Sequence, residues 1–140
     1  ACAEPLSIGL HAVHRAGVLT GRTVLVTGGG TIGCMSVIAA RLAGAAQVIV
    51  CDIAERPLAI AQQVGADRTI RSDQVDAASL CDLAEVTIEA AGNAAALTTC
   101  LDAVRRGGRV IQVGTLPAEL PFPANSVMQR ELDYRGDDRQ

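Results

Sequence analysis

The stretch from Val24 to Asp52, VLVTGGGTIGCMSVIAARLAGAAQVIVCD, constrains the fold of this chain more than any other part of it. A short β-branched run ends in three glycines, a helical periodicity starts at Thr31, and a second apolar run ends at Asp52. A strand, a glycine turn, a helix and a second strand in this order predict a right-handed βαβ unit with parallel strands. The strands are apolar almost throughout, which is typical of a sheet covered by helices on both faces.

The same alternation continues along the whole chain of 140 residues. Helical periodicity predicts helices over residues 4–17, 31–43, 55–64 and 94–105. Gly107 and Gly108 are expected to end the last of these helices. Apolar runs predict strands over residues 23–27, 47–51, 69–71, 85–90, 109–113 and 132–135. This order of elements predicts an α/β fold, a doubly wound parallel sheet in three layers.

The composition bounds what such a domain can bind and where it can reside. Only 1% of the residues are aromatic, which leaves no platform for stacking bases, and the net charge of -3 disfavours a partner held through nucleic-acid phosphates. The five cysteines form no CxxC pair, which disfavours a zinc finger or a disulfide framework. No apolar run has the length of a membrane span, and no signal peptide is recognisable. We therefore expect a cytoplasmic protein with reduced cysteines and neither a nucleic-acid nor a membrane partner.

Three glycines after the first strand have the spacing of a dinucleotide-binding turn, G-x-G-x-x-G. They are Gly28, Gly30 and Gly33. In such a turn the first glycine permits the sharp bend, the second lets backbone approach a pyrophosphate, and the third allows close packing of helix on strand. The pyrophosphate would lie on N–H groups at the start of the following helix, at Thr31 and Ile32. The motif alone is weak evidence, but the preceding strand and the following helix strengthen it.

Asp52 ends the second apolar run, about 20 residues after the glycine turn, where a carboxylate can accept hydrogen bonds from the hydroxyls of an adenosine ribose. The same charge would repel the 2′-phosphate of NADP, so Asp52 favours NAD as the cofactor. Arg56 weakens this preference, because a nearby arginine could contact an additional phosphate. Alternatively, Asp52 only caps the helix that starts near Glu55.

Small residues also follow the fourth and fifth predicted strands. Ligands of open α/β sheets bind beyond the carboxyl ends of the strands, so backbone at these positions could approach the nicotinamide half of a dinucleotide. The alternative is that both segments are ordinary turns. The candidate residues are Ala90, Ala91 and Gly92 after one strand, and Val113, Gly114 and Thr115 after the other.

The chain as a whole resembles the cofactor domain of the zinc-containing, medium-chain alcohol dehydrogenases. The resemblance rests on the ending RELDYRG and on five further segments, AEPLSIGLHAVHRAG (3–17), TVLVTGGGTIG (23–33), VGAD (64–67), IEAAGN (88–93) and RRGGRVIQVG (105–114). Within this superfamily the chain is most similar to the sorbitol and L-idonate 5-dehydrogenase branch. The resemblance implies a Rossmann fold with strand order 3-2-1-4-5-6. It also implies a linking helix over residues 1–20, a cofactor-binding domain over residues 21–136 and a tail over residues 137–140.

The resemblance further implies that the chain is a slice of a two-lobed protein whose zinc-binding cysteine and histidine belong to a catalytic lobe outside it. Glu4 matches the family's glutamate beside the catalytic zinc, which makes it a candidate metal ligand. One carboxylate cannot hold zinc alone, because tetrahedral sites take three protein ligands. An acid that stabilises a helix N-terminus is the alternative for Glu4. None of the chain's residues is predicted to be catalytic, and the chain by itself is expected to be inactive.

For the full-length protein, the resemblance implies NAD-dependent oxidation of a secondary alcohol of a polyol or sugar acid. Its expected partners are that substrate, zinc, its own catalytic lobe and further copies of itself. Two other functions stay open for the glycine turn. One is a regulatory module that senses NAD without catalysis. The other is an S-adenosylmethionine-dependent methyltransferase, in which the sheet would end in an antiparallel hairpin.

Overall fold

The computed structural model describes residues 3–136 of the chain, which form a six-stranded sheet flanked by helices. The strands are β1 Thr23–Thr27, β2 Gln47–Asp52, β3 Arg68–Arg71, β4 Ala84–Glu89, β5 Val104–Gln112 and β6 Asp133–Gly136. The helices are α1 Ala3–Ala16, α2 Thr31–Leu42, α3 Glu55–Gln63, α4 Ala94–Ala103 and α5 Ala124–Gln129, with a short 3-10 helix at Ala77–Leu80. The tail predicted at residues 137–140 lies outside the described residues.

All neighbouring strands of the sheet are parallel, in the order β3-β2-β1-β4-β5-β6. The central strand β1 pairs with β2 on one side and β4 on the other, so that Val26 lies between Val50 and Ile88. The predicted fold class and strand order are therefore confirmed. The chain leaves β1 toward β3 and returns to the other side of β1 with β4, and this reversal opens a crevice at the carboxyl ends of the strands.

Neighbouring residues of the central strand belong to different hydrophobic clusters, because successive side chains of a strand point to opposite faces of the sheet. From β1, Val24 and Val26 pack with α1, α2 and α3 in the larger core. Leu25 lies between them and packs on the opposite face with Ile49 of β2. The core contains almost no aromatic atoms, and burial of branched aliphatic side chains supplies its stability.

The boundary between α4 and β5 differs from the sequence prediction. The helix ends at Ala103 and the strand starts at Val104, so Gly107 and Gly108 lie within β5 rather than at the end of the helix. Gly107 has a φ of +74°, and the register between β4 and β5 shifts near this point. The two glycines therefore mark an irregularity in the strand.

Helix α1 shares the larger core with the sheet. Ala12, Val13 and Ala16 are buried in the same cluster as the residues of β1. The helix also approaches α2 closely, since a Cβ added to Gly9 would lie 2.8 Å from the carbonyl atoms of Met35. The predicted division into a linking helix and a cofactor-binding domain stays a prediction, but α1 packs as part of the same body.

The four described cysteines are not in disulfides, and Cys34, Cys51 and Cys100 are buried while Cys81 is exposed. Burial raises the pKa of Cys51 and of Cys100 to about 12, so both remain protonated thiols at neutral pH. None of the helices in the described part of the chain is long and apolar enough to cross a membrane.

Candidate functional site

A cleft of about 660 Å³ lies at the carboxyl ends of β1, β2 and β4. This is the edge of the sheet where the strand order reverses, and the volume lies within the range of small-molecule sites. Residues from the strand ends, from the loop after β3 and from the start of α4 form its walls. They include Gly28, Asp52, Ile53, Ser72, Asp73 and Ala91.

The first and third glycines of the G-x-G-x-x-G motif are each required for a different steric reason. Gly28 has a φ of +92°, a backbone conformation that residues with a side chain rarely adopt. Its N–H donates to the Cys51 carbonyl oxygen at 2.8 Å. Gly33 lies in the first turn of α2, where a Cβ would overlap the carbonyl oxygen of Gly28. The absence of a side chain at Gly33 therefore lets α2 start directly against the end of β1.

Gly30 differs from these two glycines because a Cβ built on it would meet no atom within 4 Å. It is exposed, has a φ of -73° and precedes α2 as the N-cap residue. It offers no side chain to cap the helix, and the first N–H groups of a helix have no intrahelical acceptor. The backbone at Thr31 and Ile32 is therefore suited to hold an anion.

Asp52 lines the cleft and contacts the glycine turn. Its Oδ2 accepts a hydrogen bond from the Gly29 N–H at 2.8 Å, and its Oδ1 accepts one from the Ala54 N–H at 3.0 Å. The N-cap residue of α3 is Ala54, which makes no side-chain cap bond. Asp52 therefore does more than cap α3, because one of its carboxylate oxygens joins the end of β2 to the turn after β1.

Arg56 lies in the first turn of α3 with an exposed side chain, and it is not among the residues that line the cleft. A second arginine lies on the strand that pairs with β2. Arg71 ends β3 and is the direct register partner of Asp52 on β2. The residues that follow it, Ser72 and Asp73, line the cleft with Asp52.

The loops after β4 and β5 contact each other beside the cleft. The Ala90 N–H donates to the Thr27 carbonyl oxygen at 3.0 Å, which ties the first loop to β1. A Cβ added to Gly114 would overlap the backbone of Gly92, so these two glycines allow the loops to touch. Val113 is buried and Thr115 is exposed next to this contact.

Glu89 organises both loops, and the sequence analysis did not single it out. Its carboxylate is completely buried, and Oε1 accepts hydrogen bonds from the Ala91 N–H at 2.6 Å and the Gly92 N–H at 2.8 Å. Oε2 accepts a bond from Nε2 of Gln112, which also donates to the Gly114 carbonyl oxygen at 2.8 Å. The signal in the sequence was an acidic residue at the carboxyl end of a predicted strand, directly before the Ala90-Ala91-Gly92 turn.

Tyr134 completes this network from β6. Its hydroxyl donates to Oε1 of Gln112 at 2.7 Å. Burial, followed by the charge of Glu89, raises the pKa of Tyr134 to about 12. The hydroxyl is therefore a neutral donor at physiological pH and serves to orient Gln112.

The described residues do not form a metal site of their own. No group of three or more His, Cys, Asp or Glu side chains within residues 3–136 is arranged to hold a metal ion. Glu4 lies exposed in the first turn of α1, where an acid complements the helix dipole. Its assignment as a zinc ligand stays a prediction, and the residues present do not suffice for zinc.

The cleft thus brings three of the sequence-predicted residues together, Gly28, Asp52 and Ala91. The remaining predicted glycine-turn residues continue into the start of α2, and the segment from Val113 to Thr115 lies in the adjacent loop. Their role as cofactor contacts stays a prediction. Chemically, the arrangement offers backbone donors, a carboxylate acceptor and an open wall, which are suited to binding and orienting a ligand.

The family model described as zinc-binding dehydrogenase matches residues 31–139. Among curated proteins, the chain is 34% identical over 139 residues to the L-idonate 5-dehydrogenase (NAD(P)(+)) of Escherichia coli. It is 40% identical over 141 residues to the sorbitol dehydrogenase of Gallus gallus. These matches cover 97% and 95% of this chain, but the chain spans only 40% of the length of either relative.

Two of the solved structures that match this chain are also named as dehydrogenases. The crystal structure of L-idonate 5-dehydrogenase from Escherichia coli matches with a TM-score of 0.91 and 33% identity, over 98% of this chain and 40% of that one. A protein from Sinorhizobium meliloti, provisionally named a zinc-binding dehydrogenase and bound to NADP, matches with a TM-score of 0.88 and 32% identity. That match covers 97% of this chain and 42% of the other.

Proposed function

Since the chain belongs to the zinc-binding dehydrogenase family, we propose that it is the nicotinamide-cofactor-binding domain of a dehydrogenase that oxidises a secondary alcohol. The observation that carries the proposal is the position of Asp52, whose carboxylate lines the cleft and contacts the glycine turn at Gly29. A dinucleotide needs a site for its diphosphate and an acceptor for its ribose hydroxyls within one crevice. The turn and the carboxylate supply these two features side by side.

In this proposal the diphosphate lies on the N–H groups at the start of α2. The open space at Gly30 permits the approach, because no Cβ occupies it. The adenosine ribose lies against Asp52, and the adenine extends between Ile53 and the start of α4. The negative charge of Asp52 favours NAD over NADP.

The nicotinamide half would extend toward the loops after β4 and β5. When bound, the nicotinamide ring accepts a hydride from the substrate carbon. The chain's own contribution is to hold the cofactor in place through Ala90 to Gly92 and Val113 to Thr115, which Glu89 and Gln112 fix in position. None of these groups needs to exchange a proton with substrate.

We propose a polyol or sugar acid as the substrate of the full-length protein. Sorbitol dehydrogenase and L-idonate 5-dehydrogenase, the names of the relatives described above, support this choice. We also propose that the protein acts in the cytoplasm, as the composition led us to expect, and as a homo-oligomer, as the resemblance implies. Zinc would be held by a separate catalytic lobe, with Glu4 as one contributor. Oxidation assays of the natural full-length protein with sorbitol, L-idonate and a primary alcohol would test the substrate class.

Cofactor binding is tested by isothermal titration calorimetry of the chain with NADH, NADPH and S-adenosylmethionine. We expect saturable binding of NADH at one site, weaker binding of NADPH and none of S-adenosylmethionine. The sheet supports this expectation over the methyltransferase alternative, because its described strands are all parallel and none forms an antiparallel hairpin. Tight binding of S-adenosylmethionine without NADH binding would overturn the proposal.

A further inference from the structure

Arg71, on the strand next to the proposed ribose site, forms ion pairs with two carboxylates. Arg71 and Asp52 are register partners at the carboxyl ends of β3 and β2, and neighbouring strands lie about 4.8 Å apart. The Ser72 N–H donates to the Asp52 carbonyl oxygen at 3.1 Å, which holds the loop after β3 against the end of β2. The charge of Arg71 is therefore placed next to the carboxylate that faces the cleft.

Asp73 binds the guanidinium of Arg71 with both of its oxygens. Nε donates to Oδ1 at 3.0 Å and Nη2 donates to Oδ2 at 2.9 Å. On the other side, Nη1 lies 3.4 Å from Oε1 of Glu55 in the first turn of α3. Asp73 also lines the cleft together with Asp52. Arg71 is not itself a lining residue, but it is bonded to one of them.

A phosphate would compete with Asp73 for the same donors. The fork of a guanidinium binds carboxylate and phosphate oxygens with the same bidentate geometry. An additional phosphate on the adenosine ribose of a cofactor would lie near Asp52, and the guanidinium of Arg71 on the neighbouring strand is already paired. The hydrogen bonds from Arg71 lower the pKa of Asp73, so the pair remains ionised at neutral pH.

We propose that Asp73 is a positioning residue for cofactor selectivity, which acts by withholding Arg71 from the 2′-phosphate of NADP. The inference rests on the proposed function. Asp52 opposes the 2′-phosphate by direct repulsion, whereas Asp73 removes the cation that would otherwise compensate it. Glu55 assists less, since its side chain is 85% exposed and its contact with Arg71 is longer.

The inference is tested by calorimetric titration of Asp73→Asn with NADH and NADPH. A neutral amide binds the guanidinium more weakly, so we expect the NADPH dissociation constant to fall about tenfold, the effect of one charge-assisted hydrogen bond. The ratio of the NADPH to the NADH dissociation constant is the readout, and the melting temperature should stay as in the wild type, because exposed ion pairs contribute little stability. Asp73→Glu, which keeps the carboxylate, should keep the wild-type ratio of the two affinities.

A double-mutant cycle separates release of Arg71 from a general change in charge. In an Arg71→Gln background, Asp73→Asn should no longer improve NADPH binding. Asp76→Asn is the matched control, because Asp76 lies three residues further along and its Oδ1 accepts the Ser79 N–H at 3.1 Å, which an asparagine can replace. A gain in NADPH affinity that persists without Arg71, or an equal gain in Asp76→Asn, would overturn the inference.

The two proposals fail in different ways. If the wild-type chain binds NADH but Asp73→Asn leaves the ratio of NADH to NADPH affinity unchanged, the inference about Asp73 is wrong and the proposed function stands. If the wild-type chain binds neither nucleotide, the proposed function is wrong and the inference falls with it.

Discussion

The carboxylate of Asp52 accepts a hydrogen bond from the Gly29 N–H at 2.8 Å, which joins the end of β2 to the glycine turn after β1. The residue proposed to recognise the ribose therefore also helps to fix the shape of the turn proposed to bind the diphosphate. Its second oxygen accepts the Ala54 N–H, so the side chain is held in one orientation toward the cleft. A group fixed in this way needs little further ordering when a ligand binds.

Gly30→Val should abolish cofactor binding without unfolding the chain. A side chain would occupy the proposed place of the pyrophosphate, so we expect NADH affinity to fall at least about a hundredfold, or about 2.8 kcal/mol. The free energy of unfolding should change by no more than about 1 kcal/mol, since a Cβ at this N-cap meets no neighbour. Calorimetry and urea unfolding measure the two effects.

Gly136→Val is the control for this change, because Gly136 is another glycine with open space around an added Cβ and lies at the edge of the sheet on β6. It should bind NADH as the wild type does. Unchanged affinity in Gly30→Val would contradict the assignment of the turn.

Replacing Asp52 should narrow the difference between the affinities for NADH and for NADPH. Asp52→Ser removes both the charge and the reach to Gly29, while Asp52→Asn removes the charge and keeps an acceptor. We expect the ratio of NADH to NADPH affinity to fall about tenfold in either variant, because repulsion of the 2′-phosphate is lost. NADH binding itself should weaken more in Asp52→Ser. A constant ratio, measured by titration with both nucleotides, would show that Asp52 does not face the ribose.

Glu89→Gln should destabilise the fold, because an amide group would direct a donor at Nε2 of Gln112 within a buried site. One unsatisfied buried polar group costs about 1–3 kcal/mol in the free energy of unfolding. Urea unfolding measures this loss. Glu131→Gln, at a side chain that is 73% exposed, should change the same quantity by less than about 0.5 kcal/mol. Equal effects of the two changes would mean that Glu89 is not a structural acceptor.

Ionisation of Tyr134 can be followed directly, because it is the one tyrosine of the chain. Its pKa in the folded state is raised from 10.0 to about 12. A group that stays protonated longer in the folded than in the unfolded state contributes stability below the unfolded pKa and loses it as pH rises through the folded one. We expect ultraviolet absorbance to report a pKa near 12 in the native chain and near 10 in urea. Identical midpoints in the two states would contradict the buried network.

The chain of 140 residues should not oxidise alcohols when zinc is added. Within residues 3–136 no cluster of side chains is arranged to hold a metal, and catalytic zinc takes three protein ligands. The measurement is NADH formation with sorbitol or L-idonate at saturating NAD. Turnover above the rate without protein would show that the chain contains an active site that its described residues do not reveal.

The spacing of apolar residues along the chain predicted helices and strands correctly where their formation depends on residues that are close in sequence. The apolar run before Gly28 and the helical pattern from Thr31 both depend on neighbours in sequence, and the structure places β1 and α2 accordingly. The prediction was wrong at the end of α4, where Gly107 and Gly108 interrupt a strand instead of ending a helix. Glycine permits either conformation, so pairing with β4 decides which one forms.

The sequence by itself determined the parallel sheet, the glycine turn and the acid at the end of β2, because chain order and side-chain pattern specify each of them. Only the tertiary structure decided which groups meet across the sheet edge. Pairing of β2 with β3 places Arg71 beside Asp52, and pairing of β4 with β5 lets Glu89 reach Gln112. Such contacts depend on strand register and on which carboxylate a buried donor can reach, and no spacing along the chain encodes either.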